Sequence, residues 1–513
     1  MKTGKIFASA GCGKTTALLD RLDSVFKAGV ASRSVLFTTF TRAGAYEARD
    51  RAIEKFGFKE DDFPYFRTLH STCYRAIVGP KIMSRKDYVF LGKDLHCRFG
   101  SAGLGEELYE RGKGDAMLAL YNLQRNRLHL TDLIPSEHGI MISPEEYRHF
   151  IETYDNYRNY HGLYDYTDLL EEILEQGISG EFPGLPIQFA FIDEAQDLTP
   201  LQFEVVKQLY KQAQEVWFAG DDDQSIFSYS GADPGILIAL KTDEQIIQDK
   251  SYRLPVPIAR YANEVASRIR LREYKHIQAY HEGKSQPERL KRSLDFTKEL
   301  VKGEPTTLLC RNRMFFGYFE DQLQKAGLLY SFVKAVDEEE VDKMDLAVIR
   351  KAVLTWNQMM AEPEEPLLAS DLAKCFLYLP NKLMPKTKRK AIVDSKPGTK
   401  FSYKQLTKDH GLVAQHGWEK SLTEIPYERS LYMRTLEKQG KLADEPHIRI
   451  GTIHSFKGKE DDHVMVLPDM AWQTYQNYQD EPDSEHRVFF VGVSRSRERL
   501  TLLHPLTKYY YHW

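Results

Sequence analysis

The feature that most constrains this chain is a short apolar run that leads into a loop of small residues and then into a helical pattern. Residues 5–16 read KIFASAGCGKTT. Small residues let successive backbone N–H groups curl around phosphates, and a helix beginning at Lys14 directs its positive end at them. Lys14 can neutralise phosphate charge and Thr15 can bind Mg²⁺. The segment predicts a phosphate-binding loop, with a glycine-rich strand-to-helix turn as the alternative. The loop residues are Ala8, Ser9, Ala10, Gly11, Cys12, Gly13, Lys14, Thr15 and Thr16.

A second nucleotide signal follows another buried-strand pattern. Residues 188–192, QFAFI, lead directly into residues 193–197, DEAQD. An acidic residue that ends a hydrophobic strand beside a phosphate loop can hold magnesium through water, and its neighbour can orient and deprotonate an attacking water. Asp193 is therefore the predicted metal residue and Glu194 the predicted base. The alternative is a solvated acidic strand end.

Composition sets only broad limits on the class of protein. The 513 residues suffice for roughly three to four domains, and 42% apolar with 28% charged residues is ordinary for a soluble globular protein. A net charge of −4 rules out a uniformly basic nucleic-acid coat but allows a local basic channel. No stretch has the apolar length of a membrane span. The five cysteines show no C-x-x-C spacing, which indicates neither disulfides nor zinc and favours a cytoplasmic location.

The order of patterns predicts a parallel α/β domain that a helical segment interrupts. Helical spacing follows the phosphate loop, and residues 34–39, SVLFTT, then form a buried-strand pattern. Residues from about 77 to 163 have a helical pattern, and the α/β pattern resumes at Tyr164. Open parallel sheets bind ligands where their strands end, which is where Phe40 and Thr41 lie. Filling the core is the simpler interpretation of Phe40 taken alone, and stacking on a base is the alternative.

Several further motifs occur in a fixed order along the chain. They are residues 220–231, GDDDQSIFSYSG; residues 251–254, SYRL; residues 451–460, GTIHSFKGKE; and residues 491–497, VGVSRSR. Together with the phosphate loop and the DEAQD segment, this set closely resembles the superfamily 1 DNA helicases of the UvrD/Rep/PcrA type. The resemblance covers nearly the whole chain, although the insertions match by position more than by residue.

The resemblance implies an α/β fold with two RecA-like domains, each a parallel sheet flanked by helices and each carrying an inserted, mainly helical subdomain. The expected first RecA-like domain comprises residues 1–76 and 164–246, and its insertion residues 77–163. The expected second domain comprises residues 247–334 and 445–513. Its insertion, residues 335–444, is shorter than is usual in the family. That insertion opens with an acidic run at 337–340 and contains a basic run at 382–390, which is read as a solvated loop or, alternatively, as a contact with duplex DNA.

The resemblance also implies roles for individual residues. Lys14 and Thr15 would bind phosphate and magnesium, Asp193 would hold the metal through water, and Glu194 would be the general base. Gln224 would sense the γ-phosphate, and Arg253 and Arg495 would act on it as arginine fingers. Besides the loop, the expected nucleotide contacts are Tyr252, Gly458 and Glu460. The expected DNA contacts are Phe40, Thr41, Thr68, His70, Phe227, Tyr229, Thr452 and His454.

The function that the resemblance implies is an ATP- and Mg²⁺-dependent single-stranded DNA translocase and helicase with 3′→5′ polarity. Its expected partners are single-stranded DNA, junctions of single- and double-stranded DNA, and a nuclease, repair or replication protein. No membrane partner is expected. The rival is a DNA-activated ATPase switch that recruits such a partner without processive unwinding. A small-molecule kinase would not need the loops at 220–231 and 452–460.

Two departures from the family pattern affect these expectations. Tyr229 and Ser230 replace the family's Trp-Arg pair, which keeps a stacking ring and removes a charge. The phosphate-loop strand begins a few residues from the start of the sequence, where the family has a glutamine-containing segment that reads adenine. From this we expect weakened selection of ATP over GTP.

Overall fold

The computed structural model describes residues 1–39, 42–57, 59–100, 111–129, 133–279, 290–333, 345–413 and 417–513. The strands are β1 (Lys2–Ala8), β2 (Val35–Thr39), β3 (Phe66–Thr68), β4 (Lys81–Ile82), β5 (Leu163–Tyr164), β6 (Phe189–Ile192), β7 (Glu215–Gly220), β8 (Glu244–Gln248), β9 (Lys250–Ser251), β10 (Gln278–Ala279), β11 (Leu290–Ser293), β12 (Thr306–Cys310), β13 (Tyr330–Phe332), β14 (Leu367–Leu368), β15 (Lys400–Phe401), β16 (Ile448–Thr452), β17 (Asp461–Val466) and β18 (Ser496–Leu503).

The helices alternate with these strands along much of the chain. They are α1 (Lys14–Lys27), α2 (Arg42–Phe56), α3 (Leu69–Ala76), α4 (Arg85–Asp94), α5 (Lys113–Asn126), α6 (Pro144–His161), α7 (Tyr166–Ser179), α8 (Pro200–Leu209), α9 (Pro234–Ala239), α10 (Val256–Ala266), α11 (Phe316–Lys325), α12 (Leu346–Ala361), α13 (Ala369–Phe376), α14 (Lys386–Val393), α15 (Tyr403–Lys408), α16 (Trp418–Ser421), α17 (Tyr427–Lys438), α18 (Trp472–Asp480) and α19 (Pro482–Val493). Among the described residues, no helix combines the length and the apolar character that crossing a membrane requires.

The first sheet places the predicted nucleotide residues at one edge. Its six described strands follow the order β3-β2-β6-β7-β1-β8, and every neighbouring pair is parallel. Parallel strands carry their carboxyl ends to the same edge of a sheet. The phosphate loop follows β1, Asp193 follows β6 and Asp221 follows the last residue of β7. The fold therefore gathers three segments that lie far apart in sequence.

The two faces of this sheet pack against different helices, as the alternation of side chains along a strand requires. Leu36 and Phe218 lie in a core that includes residues of α7 and α8. Their neighbours Phe37 and Trp217 lie in another core that includes residues of α1. Layers of helix on both faces explain why the central strands β2, β6 and β7 are largely apolar.

The second sheet has the same character. Its six described strands follow the order β11-β18-β17-β12-β16-β13. The pairs β11/β18, β17/β18 and β13/β16 are parallel. Together with the first sheet, this confirms the predicted fold class of two parallel α/β sheets flanked by helices.

The chain divides into two compact units. The first comprises Met1–Phe296, Leu309–Met314 and Gly451–Trp513, and the second comprises Thr297–Leu308 and Phe315–Ile450. The first unit contains the whole first sheet and α4, α5 and α6, which share a core of their own. The second contains α11 to α17, with Trp356 of α12 fully buried. The finer division into four parts that the sequence suggested stays a prediction.

A buried ionic cluster joins α5 and α6 to α7 in the first unit. The guanidinium of Arg125 donates to Asp165 over 2.8 Å and to Glu171 over 2.9 Å, and it also pairs with Asp168. Arg158 of α6 lies 3.6 Å from Asp165 and pairs with Asp168 as well. Because buried charges are costly unless paired, these contacts fix the helical segment onto the α/β core.

Candidate functional site

The phosphate loop occupies the turn between β1 and α1. Ala8, Ser9, Ala10 and Cys12 are buried, whereas Thr16 is exposed. Gly11 has φ 72°, and a Cβ atom there would lie 2.5 Å from Cβ of Arg253 and 2.8 Å from Oγ of Ser251. Both the left-handed backbone and the close approach therefore require glycine at this position. Burial raises the pKa of the Cys12 thiol to about 12, which makes this cysteine a packing residue.

The residues that directly follow β6 meet the start of α1 at this loop. The hydroxyl of Thr15 donates to Oδ2 of Asp193 over 2.8 Å. The ammonium of Lys14 lies 2.6 Å from Oε1 of Glu194 and 3.8 Å from Oδ1 of Asp193. Glu194 has φ 54°, a left-handed conformation that non-glycine residues adopt at a cost. The structure thus brings together the four residues predicted for phosphate, metal and base chemistry.

The charges of this cluster influence one another strongly. Burial raises the pKa of Asp193 more than Lys14 lowers it. Burial also acts to raise the pKa of Glu194, but Lys14 and Lys457 outweigh it and hold that pKa at about 2. For Lys14, burial acts to lower the pKa, and the two carboxylates reverse this and raise it. Glu194 therefore stays ionised as long as Lys14 lies beside it.

The residues at this point fit a magnesium ion. Mg²⁺ prefers oxygen ligands and commonly takes one or two from the protein, with water and phosphate completing the octahedron. Thr15 and Asp193 offer two such oxygens at the base of the phosphate loop. No group of three or more His, Cys, Asp or Glu side chains suited to a metal occurs in the described residues. The described residues therefore do not form a metal site built from these protein side chains alone.

Gln224 and Arg495 form the next part of the site. Nη2 of Arg495 donates to Oε1 of Gln224 over 2.6 Å, and Nε2 of Gln224 donates to Oδ2 of Asp221 over 2.6 Å. Arg495 is 2% exposed, and its other described acceptors are Oγ of Ser494 and the carbonyl oxygen of Val491. Burial, and to a smaller extent the nearby Arg253, lower the pKa of this guanidinium to about 9. A buried cation held by neutral acceptors is well placed to receive an anion.

The remaining nucleotide candidates lie beside these groups. Nε of Arg253 pairs with the carboxylate of Glu460, whose other oxygen accepts from Nε of Arg497 over 2.9 Å. Gly458, two residues before Glu460, has φ 80°, which glycine adopts without strain. The backbone N–H of Tyr252 donates to the carbonyl oxygen of Gly11 over 2.9 Å, and the Tyr252 side chain is 59% exposed. An exposed ring next to the phosphate loop can stack on a nucleobase.

Two cations that the sequence did not reveal, the buried Lys275 and the partly buried Arg272, hold the loop that carries Gln224. Lys275 lies 3.4 Å from Oδ1 of Asp221 and 3.2 Å from Oδ2 of Asp223, and it pairs with Asp222. Arg272 donates to both carboxylate oxygens of Asp223, over 2.8 and 2.6 Å. Both cations lie about 50 residues beyond the loop, and no local spacing marks them. The acidic triplet 221–223 is the one sequence signal that could have pointed to a counter-charge, since three buried carboxylates need one.

Three DNA candidates from the predictions form an aromatic cluster. The ring centroids of Phe227 and Tyr229 are 6.1 Å apart, and that of His454 lies 6.4 Å from Phe227 and 5.8 Å from Tyr229. Phe227 is 5% exposed and His454 2% exposed, whereas Tyr229 is partly exposed. Nε2 of His454 lies 3.2 Å from the carbonyl oxygen of Ile226, and this contact fixes the orientation of the imidazole. In this arrangement Tyr229 is the member that offers surface to a base.

The other DNA candidates are distributed differently. Oγ1 of Thr68 accepts from the N–H of Ser71 over 3.4 Å at the start of α3, and Oγ1 of Thr452 accepts from the N–H of Ser455 over 3.1 Å. The ring of His70 lies 6.0 Å from that of Tyr166, and burial lowers the His70 pKa to about 4. Phe40 and Thr41 lie outside the described residues, as does the acidic run at 337–340.

A phosphate loop at the edge of a parallel sheet, with a Thr–Asp pair, a neighbouring glutamate and two arginines, defines a P-loop nucleotide-binding protein. Two protein-family models identify the class of P-loop protein to which the chain belongs. The model of the UvrD/REP helicase N-terminal domain matches residues 2–91 and 108–245, and the model of the UvrD-like helicase C-terminal domain matches residues 447–503. The chain belongs to the UvrD/Rep family of superfamily 1, which confirms the resemblance found in the sequence motifs.

Curated relatives agree with this placement. A probable DNA helicase of Mycoplasma pneumoniae is 29% identical over 298 residues, covering 54% of this chain and 55% of the relative. The ATP-dependent DNA helicase PcrA of Bacillus subtilis is 25% identical over 411 residues, covering 71% of this chain and 52% of the relative. The ATP-dependent DNA helicase Rep of Escherichia coli is 26% identical over 282 residues, covering 50% and 40%. The chain thus spans about half the length, or less, of these relatives.

Proposed function

We propose that the protein is an ATP-dependent single-stranded DNA translocase and DNA helicase that moves in the 3′→5′ direction. The observation that carries the proposal is the cluster at the phosphate loop, where Thr15 bonds to Asp193 over 2.8 Å and Lys14 lies 2.6 Å from Glu194. The family and the DNA helicase names of the relatives support DNA as the polymer and ATP as the nucleotide. Single-stranded DNA and its junctions with duplex are the proposed partners.

Binding of ATP rearranges the charges around Lys14. The phosphates attract its ammonium, which in this structure pairs with Glu194 and Asp193. Asp193 and Thr15 are then free to hold Mg²⁺, which neutralises phosphate charge when bound. Glu194 loses the ion pair that holds its pKa at about 2, so its basicity rises. A carboxylate of higher pKa beside the γ-phosphate can accept a proton from the attacking water.

The two arginines place positive charge beside the phosphoryl group that is transferred. Transfer of a phosphoryl group passes through a loose transition state whose charge lies on the equatorial oxygens. Arg495 approaches from α19 and its following turn, where Gln224 holds it over 2.6 Å. Arg253 is held by Glu460 and can exchange this carboxylate for a phosphate oxygen. Gln224 contacts Arg495 and follows β7, which suits it to report the presence of the γ-phosphate.

Movement along DNA uses stacking on aromatic rings, which tolerates any sequence because every base has a π-face. Tyr229 offers the partly exposed ring of the cluster with Phe227 and His454. His454 and Thr452 belong to the 451–460 segment that also carries Glu460, the partner of Arg253. One short segment thus connects the proposed DNA contacts with the proposed nucleotide contacts, which supports coupling between hydrolysis and displacement.

The test uses short duplexes that carry either a 3′ or a 5′ single-stranded tail, with ATP and Mg²⁺, and the isosteric Glu194→Gln variant as the control. We expect strand separation from the 3′ tail only, and none by the variant. DNA-stimulated hydrolysis without separation from either tail would overturn the helicase proposal in favour of a recruitment switch. Separation from the 5′ tail only would overturn the proposed polarity.

A further inference from the structure

Lys457 is a largely buried cation that touches two segments of the nucleotide site at once. Its Nζ donates to Oδ2 of Asp197 over 2.5 Å and to the carbonyl oxygen of Gln224 over 2.7 Å. The Lys457 side chain is 10% exposed and that of Asp197 is 1% exposed. Lys457 and Asp197 are separated by 260 positions in sequence. A buried pair across such a distance ties the 451–460 segment to the DEAQD segment.

Asp197 is in turn connected to the proposed general base. Nε2 of Gln196 donates to Oδ2 of Asp197 over 3.2 Å and to Oε2 of Glu194 over 2.6 Å. Oε1 of Gln196 accepts from the backbone N–H of Asp221 over 2.9 Å, and Gln196 is fully buried. With its oxygen engaged, the amide has one orientation, and both of its described donor contacts are carboxylates. The position of Glu194 therefore depends on that of Asp197.

The ammonium of Lys457 also contacts the aromatic cluster. Its Nζ lies 4.6 Å from the ring centroid of Phe227, within the range of a cation–π contact. Phe227 contacts His454 and Tyr229, the ring to which the proposed function assigns a DNA base. Lys457 is thus packed between the surface that would receive DNA and the buried chain of side chains that ends at Glu194.

We propose that Lys457 is a positioning residue that transmits the occupancy of the aromatic cluster to Glu194 through Asp197 and Gln196. A base that stacks on Tyr229 shifts the rings against which the ammonium rests. Because Lys457 is bonded at the same time to Asp197 and to the backbone of Gln224, its displacement moves both the base and the γ-phosphate sensor. The proposal rests on the proposed function, since it assigns DNA to Tyr229 and water activation to Glu194.

The test measures kcat and KM for ATP, with and without saturating oligo(dT), for the wild type, Lys457→Met and Lys457→Arg. Fluorescence anisotropy measures the Kd for the same DNA. A hydrogen bond to a charged group is worth a factor of about ten or more, so we expect the ratio of DNA-stimulated to basal kcat to fall about tenfold in Lys457→Met. KM should stay within about twofold, since Lys457 makes no described contact with the phosphate loop. Lys457→Arg should recover part of the ratio because it keeps the charge and the donors.

Two further variants sharpen the interpretation. Asp197→Asn has nearly the volume of the native side chain and removes only the charge that Lys457 pairs with, so it should reproduce the loss of stimulation. Lys241→Met removes an exposed lysine of the same unit and should keep the wild-type ratio. Wild-type stimulation retained in both Lys457→Met and Asp197→Asn would overturn the proposal. An equal loss of basal and stimulated rates in both would also overturn it, in favour of a merely structural pair. A wild type that DNA does not stimulate would instead overturn the proposed function, and the relay with it.

Discussion

Replacement of Lys275 by methionine should destabilise the first unit strongly. In the structure the ammonium of Lys275 forms ion pairs with all three carboxylates of the 221–223 triplet. Its nitrogen lies 3.4 Å from Oδ1 of Asp221 and 3.2 Å from Oδ2 of Asp223, and it pairs closely with Asp222. All four side chains are fully buried. Methionine keeps most of the volume and removes the charge. Two described cationic side chains then remain in contact with the triplet: Arg272, bonded to the Asp223 carboxylate, and Arg487, which donates to the backbone carbonyl oxygen of Asp222.

The magnitude follows from the cost of breaking a buried ion pair on one side, which is about 3–5 kcal/mol. The carboxylates can limit this cost by binding protons. Burial already raises the pKa of Asp221 to about 6, although Lys275 lowers it, and burial raises the pKa of Asp222 as well. Without Lys275 both pKa values rise further, so the folded variant takes up protons that the unfolded chain, with its carboxyl pKa near 3.9, does not bind near neutral pH. The destabilisation is therefore largest at high pH and shrinks as the pH falls toward about 6, where Asp221 begins to bind a proton in the wild type as well.

Urea unfolding at pH 7.5 and pH 5.5, followed by tryptophan fluorescence, measures this effect. With an m-value of about 3 kcal/mol/M, the midpoint should fall by about 1–1.7 M at pH 7.5 and by less at pH 5.5. The exposed Lys241→Met is the control, and its free energy of unfolding should stay within about 0.5 kcal/mol of the wild type. A Lys275→Met variant with the same urea midpoint as the control at pH 7.5 would refute this expectation. So would a loss of stability that is no smaller at pH 5.5 than at pH 7.5.

Three further predictions follow from buried groups of the same unit. Gly4→Ala should lower the free energy of unfolding by about 1–3 kcal/mol, because a Cβ would lie 2.3 Å from the Trp217 ring; unchanged stability in urea unfolding would contradict this. The His463 pKa, lowered to about 3 by burial and by Arg499, makes the native state lose stability as the pH falls below about 6.5, so His463→Gln should lessen that loss by about 1.4 kcal/mol per pH unit, and unfolding with the wild-type pH slope would refute it. Arg495→Ala should lower kcat for ATP about 10³-fold or more, and a wild-type rate would remove it from the proposed chemistry.

The parts of the site that the sequence predicted are those in which local spacing carries the information. The phosphate loop, Asp193 and Glu194 each follow an apolar strand pattern directly, and β1 and β6 occur where those patterns indicated. Parallel strands then bring the loops together whatever lies between them in sequence. This is why the fold class and the four-residue cluster at the phosphate loop could be predicted without any contact information.

The parts that the sequence did not predict depend on pairings between distant segments. The pair of Lys457 with Asp197 and the pairing of Lys275 with the acidic triplet join residues that no periodicity relates. The burial of Phe227 was also not foreseen, because an aromatic residue in a loop such as 220–231 can point either into the core or toward solvent. Such positions follow from packing, which a single sequence does not specify residue by residue.

The measurement that tests the central claim most directly is the rate of ATP hydrolysis by the wild type and by Glu194→Gln, each with and without single-stranded DNA. The account predicts that DNA accelerates the wild type and that the variant loses about 10²–10⁴ in kcat with DNA present, because the group that accepts the proton from water is gone. The variant should still bind ATP, since Lys14 and Thr15 are unchanged. A variant that hydrolyses ATP at the wild-type rate, or a wild type whose rate is indifferent to DNA, would contradict the account.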